Sequence, residues 1–300
     1  MARGDRERRL TPTTSPGNDL MQCEELLAAL NEYVDGELDL SICEPYRDHL
    51  QNCNPCQLVV DNIRQTIRLY KAEEQYVLPA ELHERLSRAL RERWKGRADA
   101  DQPLIQQAKS GDFAAMESLL LKYERQVYGV GRRILQQHQD AEEVTQQTFL
   151  SVLEHLEEFR EEAQFRTWLL RIATNHALSL LRKRTLRTGV SLDQDRSADS
   201  YEGLPHPEFI ATWRETPEEI ASRRETRRYV DEALESLDEK YRTVFVLRDI
   251  EDCSTRETAE ILGISIEAVK VRLLRARLML RERLTRLFGD ESTRVAPHAH

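Results

Sequence analysis

Aromatic residues make up only 6% of this 300-residue chain, and it holds just 11 glycines, 10 prolines and five cysteines. Few turn-formers and few aromatics argue against a sheet protein and for an all-α chain of several small domains, with room for two or three. No apolar run approaches a membrane span, and the N-terminus, with Arg3, Arg6, Arg8 and Arg9, lacks the apolar core of a signal peptide. The expected location is cytoplasmic, with no membrane partner. Also missing are a phosphate-cradling glycine loop and a nucleophile, base and orienter set, so the chain reads as a non-enzyme. In a reducing compartment, clustered cysteines read as metal ligands or redox switches before structural staples.

Charge is plentiful but unevenly placed. The formal net charge is −9. Between Met21 and Ala80 eleven acidic residues face only Arg47, Arg64, Arg68 and Lys71, whereas the C-terminal stretch is basic. An acidic module and a basic module in one chain attract each other.

The basic stretch has the grammar of a helix-turn-helix over 254–283. Ser254 with Glu257 forms a capping box, Gly263 supplies a left-handed stop, and Ser265 caps a second helix. Ile266, Val269, Leu273, Ala276, Leu280 and Leu284 recur at three- and four-residue steps and define the inward face. Lys270, Arg272, Arg275, Arg277, Arg281, Arg283 and Arg286 outnumber Glu267 and Glu282. Such a helix suits the major groove of DNA, although an arginine-rich helix in an ordinary bundle has the same pattern. The candidate readers are Glu267, Lys270, Val271, Arg272, Leu274, Arg275 and Arg277. At about 100° per residue, Val271, Leu274 and Leu278 fall opposite the inward face, as contacts for thymine methyls or as a docking strip for another domain.

A second motif lies near the N-terminus. His49 precedes Cys53 by four residues, and Cys53 precedes Cys56 by three. A helix puts His49 and Cys53 on one face, and the Asn54-Pro55 turn returns Cys56. With Cys23 these make four ligands of the type and number that a closed, tetrahedral Zn2+ site requires. Buried cysteines without metal are the plainer alternative. Cys43 reads as a packed cysteine or a spare thiol beside the metal, and Cys253 as structural.

Cys23, Tyr33-Val34-Asp35-Gly36-Glu37-Leu38 and the His-x3-Cys-x2-Cys run resemble the zinc-binding anti-sigma domain, a small helical fold that clamps sigma factors. Farther on, Asp140-Ala141-Glu142-Glu143-Val144-Thr145-Gln146-Gln147-Thr148-Phe149 and Phe165-Arg166-Thr167-Trp168-Leu169-Leu170-Arg171-Ile172-Ala173-Thr174-Asn175 resemble region 2 of the extracytoplasmic-function (ECF) group of sigma factors, and the helix-turn-helix resembles their region 4. The resemblance implies a promoter-specificity subunit of RNA polymerase whose partners are the core enzyme, through the clamp of its beta-prime subunit and its beta flap, and promoter DNA. Asp140, Glu143, Gln146 and Gln147 would meet polymerase. The helix carrying Arg166, Thr167, Arg171, Asn175, Arg182 and Lys183 would recognise and open the −10 element, with Phe165 and Trp168 stacking on bases or, for Trp168 by preference, anchoring the core. The helix from Ile266 to Arg281 would read −35. Ser179 stands where the family often has aspartate, which leaves a role for that carboxylate unsupported.

The expected layout is a disordered tail over 1–19, a zinc-binding domain over 20–78, a connecting helix and joint over 79–102, region 2 over 103–186, a flexible acidic linker over 187–216, region 4 over 217–287 and a disordered tail over 288–300. An inhibitory domain fused ahead of the sigma regions implies control in cis by docking on them. The alternatives are a zinc- or thiol-responsive sensor that recruits a separate partner, and a polymerase-independent helix-turn-helix regulator, which leaves the Asp140 to Asn175 match without explanation.

Overall fold

The computed structural model describes residues 26, 29–38, 40–72, 101–160, 164–188, 201 and 203–297. The expected helix over 79–94 and the candidate ligand Cys23 lie outside the described residues. Among those described, the regular elements are helices, and the only β-structure is two isolated bridges. The chain divides into two compact units, Met1–Asn54 and Pro55–His300.

In the first unit, α1 (Leu30–Asp35) ends where Gly36 turns left-handed at φ 71°, the stop that Asp35-Gly36 predicts. Helix α2 (Leu40–Asn52) follows, and Tyr46 stacks on Tyr33 with centroids 6.2 Å apart.

The second unit begins within α3 (Asn54–Ala72), whose buried stripe of Val59, Ile63, Thr66 and Tyr70 keeps helical period. A bundle of α4 (Asp101–Lys109), α5 (Phe113–Leu135), α6 (His138–His155) and α7 (Phe165–Thr188) comes next. Asp112 starts α5 by accepting the Ala114 and Ala115 amides. Gly131 lets α5 press on α6, since a Cβ there would meet Ala141 Cα at 3.2 Å. Trp168 packs on Phe159 and Phe165 at 5.2 and 5.7 Å, so it serves as the anchor favoured from sequence.

The C-terminal bundle holds α8 (Pro217–Ser222), α9 (Arg224–Glu235), α10 (Glu239–Phe245), a π-turn (Val246–Ile250), α11 (Thr255–Leu262) and α12 (Ile266–Phe288). The Ser254–Glu257 capping box is complete in both directions, Gly263 sits at φ 65°, and Ser265 accepts the Ala268 amide. A Cβ on Gly263 would meet nothing within 4 Å. Gly263→Ala is therefore expected to cost only the left-handed backbone penalty, about 1 kcal/mol, read as a small fall in the urea midpoint.

One apolar core joins all three groups of helices. It includes Leu69 and Tyr70 of α3, Val130, Ile134, Leu170 and Leu181 of the first bundle, and Val230, Phe245, Leu273 and Leu280 of the C-terminal bundle.

Two segments differ from the expected flexible linker and disordered tail. Phe209, Ile210, Ala211 and Trp213 are buried. Residues 209–214 pair with 289–295 through bonds from the Asp290 amide to the Thr212 carbonyl and from the Val295 amide to the Ile210 carbonyl. Trp213 Nε1 donates to Thr285 Oγ1 of α12 at 3.1 Å. The result is a two-stranded strap laid on α12. Its physical basis is an apolar run, Phe209-Ile210-Ala211-Thr212-Trp213, inside an otherwise polar stretch.

Candidate nucleic-acid interface

The residues expected to read DNA lie on α7 and α12, and the two regions meet where α7 touches α11. At the start of α7, Thr167 Oγ1 donates to Glu257 Oε1 at 2.6 Å, so the first turn of the expected −10 helix meets the capping box of the helix-turn-helix. Arg166 donates to both the carbonyl and the carboxylate of Glu251. Gln126 Nε2 of α5 donates to Glu251 Oε2 at 2.5 Å, and Arg133 lies 3.8 Å from Oε1. Burial pushes the Glu251 carboxyl above the usual carboxylate range, while Gln126, Arg133 and Arg166 pull against it. Burial also raises Glu257, but hydrogen bonds from Thr167 and Ser254 outweigh it and leave that carboxyl below its ordinary range. Farther along α7, Arg171, Asn175, Arg182 and Lys183 are exposed.

On α12 the expected outward strip is not outward. Val271, Leu274 and Leu278 are 1%, 0% and 2% exposed. The wheel separates two faces correctly, but this helix is enclosed on both. Arg277 departs from expectation too. Its Nε and Nη2 donate to the two carboxylate oxygens of Asp249 at 2.9 and 2.6 Å, and both side chains are buried. An arginine held side-on by a carboxylate and 1% exposed within a core does not present its guanidinium to a guanine. Arg275 donates to the Gly203 carbonyl at 3.0 Å. Lys270 and Arg272 are half-buried, and Glu267 is exposed.

The expected polymerase face lies on α6. Glu143 and Gln147 are exposed and Gln146 is half-buried, while Asp140 is ion-paired with Arg184 of α7.

In the metal motif, one donor atom from each of His49, Cys53 and Cys56 lies within 4.8 Å of the others. Tetrahedral ligands at about 2.0–2.3 Å from zinc sit about 3.5–4 Å apart, so a small contraction would suit three of four positions. A nitrogen and two sulfurs are the donors zinc favours. Cys43 is half-buried and Cys253 is buried, and burial pushes the Cys253 thiol up to about 11. Such a thiol is unreactive near neutrality, in keeping with a structural role.

Several residues carried no signal in the sequence. Gln126, Arg133, Asp249 and Glu251 find their partners across 28 to 125 positions, beyond any periodic pattern. Asn62 and Tyr70 of α3 reach the Ala211 and Val230 carbonyls, both at 2.9 Å. Tyr70 does at least close an amphipathic stripe.

Family models agree with these parts. Residues 119–187 match Sigma-70 region 2, residues 227–280 match Sigma-70, region 4, and residues 23–57 match a putative zinc-finger. The chain is 32% identical over 179 residues to the RNA polymerase sigma-H factor of Pseudomonas aeruginosa, covering 60% of this chain and 91% of that protein. It is also 32% identical to the ECF RNA polymerase sigma factor SigW of Bacillus subtilis, covering 60% and 94%. A solved structure of CnrH in complex with the cytosolic domain of CnrY is 29% identical, covers 63% of this chain and 99% of that one, and superposes with a TM-score of 0.44. With two sigma regions in order and near-complete coverage of the two sigma factors that are 32% identical, the chain belongs to the ECF group of RNA polymerase sigma factors.

Proposed function

We propose that this sigma factor is held closed in cis by the helix that carries the last cysteine of its zinc motif, and that the closed form cannot read a promoter. The observation that carries this reading is the seat of α3. Its Asn62 and Tyr70 donate to backbone carbonyls of the strap and of α9, Tyr70 packs edge-on against Phe245 at 5.2 Å, and Lys71 pairs with Asp252 at 2.5 Å. The Lys71 pair is exposed and adds little, so the clamp rests on Leu69 and Tyr70.

Spacing supports inhibition. By their names, the −10 and −35 elements lie about 25 base pairs apart, or about 85 Å along B-form DNA. Here Thr167 touches Glu257. Both helices can serve a promoter only after the regions part. Once they do, Arg166, Thr167, Arg171, Asn175, Arg182 and Lys183 would face −10 DNA. Glu267, Lys270, Arg272 and Arg275 would face −35 DNA. Glu143, Gln146 and Gln147, with Asp140 released from Arg184, would meet the beta-prime clamp, and region 4 the beta flap. The work is done in the cytoplasm and involves no covalent chemistry.

Zinc would be held by His49, Cys53, Cys56 and Cys23. When bound it supplies a closed structural centre, whose loss unfolds a small domain because binding and folding are coupled. The full chain is expected to carry one equivalent of zinc by elemental analysis, and Cys56→Ser to retain under a tenth of it. Core-dependent transcription, run with and without a zinc chelator, tests the regulation. A rise on chelation supports control in cis, and equal activity in both conditions overturns it.

A further inference from the structure

Glu251 stands on region 4, yet its carboxylate is completed by region 2. Gln126 donates at 2.5 Å and Arg166 at 3.3 Å, with Arg133 at 3.8 Å. The side chains of Glu251 and Arg133 are 7% and 9% exposed, and that of Arg166 is 28% exposed. Two guanidinium groups and a carboxamide thus converge on one desolvated anion. That anion belongs to the other region, so parting the regions empties a cradle built for negative charge. Once the carboxylate leaves, the guanidinium groups that met it face solvent, and an anion of similar shape can take its place.

The position of the cradle identifies the replacement. Thr167, Arg171 and Asn175 are spaced i, i+4 and i+8, so they form one stripe along α7. Arg171 and Asn175 are already exposed. A strand laid on this stripe runs toward the helix start, where Arg166 opens the cradle. Phosphate matches a carboxylate in charge and in its fit to a guanidinium fork.

We propose that Gln126, Arg133 and Arg166 form an anion site with two alternative occupants: the Glu251 carboxylate in the closed chain, and a backbone phosphate of unpaired promoter DNA in the open one. Glu251 is then an internal competitor of DNA, and Gln126 and Arg133 of α5 are phosphate contacts added to those of α7. The inference rests on the reading of α7 as the −10 helix.

The test is binding of a short, fluorescent single-stranded DNA oligonucleotide to the full chain, by anisotropy across a salt series. Glu251→Gln is expected to tighten binding about tenfold and to steepen the slope of log K against log salt by about 0.7, the mark of one more phosphate neutralised. Adding Arg133→Gln should return both values to those of the parent chain. No tightening, or a gain with an unchanged slope that survives Arg133→Gln, overturns the proposal and leaves simple loosening of the fold. If Glu251→Gln does not fold, Glu251→Asp retracts the charge by one methylene and should give a smaller gain, with no gain counting against the site. Arg171→Ala separates the premise from the proposal. Loss of binding in that variant, with none gained in Glu251→Gln, defeats the cradle alone, whereas full binding by Arg171→Ala defeats the α7 reading.

Discussion

Asp249→Ala is expected to lower the unfolding free energy of the C-terminal bundle by about 3–5 kcal/mol. Asp249 is one half of a two-point ion pair with Arg277, and the side chains are 5% and 1% exposed. Removing the carboxylate leaves a guanidinium without its counter-charge in the core, and the desolvation already incurred is no longer offset. Arg277→Ala should cost a similar amount. Urea unfolding followed by circular dichroism measures both. A double replacement with apolar residues, Asp249→Leu with Arg277→Met, should recover most of the loss, since the attraction roughly balances the desolvation it offsets. If Arg277→Ala instead leaves stability intact and removes only −35 specificity, Arg277 is a base reader and the ion pair is incidental.

Tyr70→Ala is expected to raise core-dependent transcription by the full chain at least tenfold. Tyr70 is 1% exposed and touches region 4 with both its ring and its hydroxyl. Truncating a buried aromatic costs about 3–5 kcal/mol. Most of that loss should fall on the seating of α3, because Phe245 and Val230 keep their partners within the C-terminal bundle. Even 3 kcal/mol would move a closed-to-open equilibrium by about a hundredfold. Tyr70→Phe keeps the ring and loses only the hydrogen bond, about 1 kcal/mol, so it should give a rise of a few-fold. The graded pair guards against misreading a folding defect, which would lower transcription in both. Unchanged output from Tyr70→Ala would remove α3 from the inhibitory mechanism.

What the sequence made legible follows the range of the forces involved. Ser254, Glu257, Gly263 and Ser265 act within one turn, and the helix ends fall where they indicate. The inward stripe of α12 is likewise local, and Val269, Leu273, Ala276 and Leu280 enter the core. The opposite strip was left open between DNA contact and a docking strip, because helical period tells which residues share a side, not whether a distant segment covers it. Arg277 was misread for a related reason. A positive charge on a basic helix looks free until Asp249, 28 positions earlier, is brought against it. The strap was hidden by averaging, since the acidic and prolyl neighbours of Phe209 to Trp213 dominate the composition.

The π-turn at Val246–Ile250 has a consequence for how this chain tolerates length changes. A π-turn is an α-helix holding one surplus residue. Its last residues point Asp249 toward Arg277 within region 4, and Glu251 just beyond points toward Gln126 and Arg133 of region 2. Deleting a single residue there would restore a regular helix. It would also rotate all that follows by about 100° and draw it back by about 1.5 Å. One codon's loss would therefore misaim both carboxylates together, so the packing of α12 and the contact between the two regions depend on the same short segment.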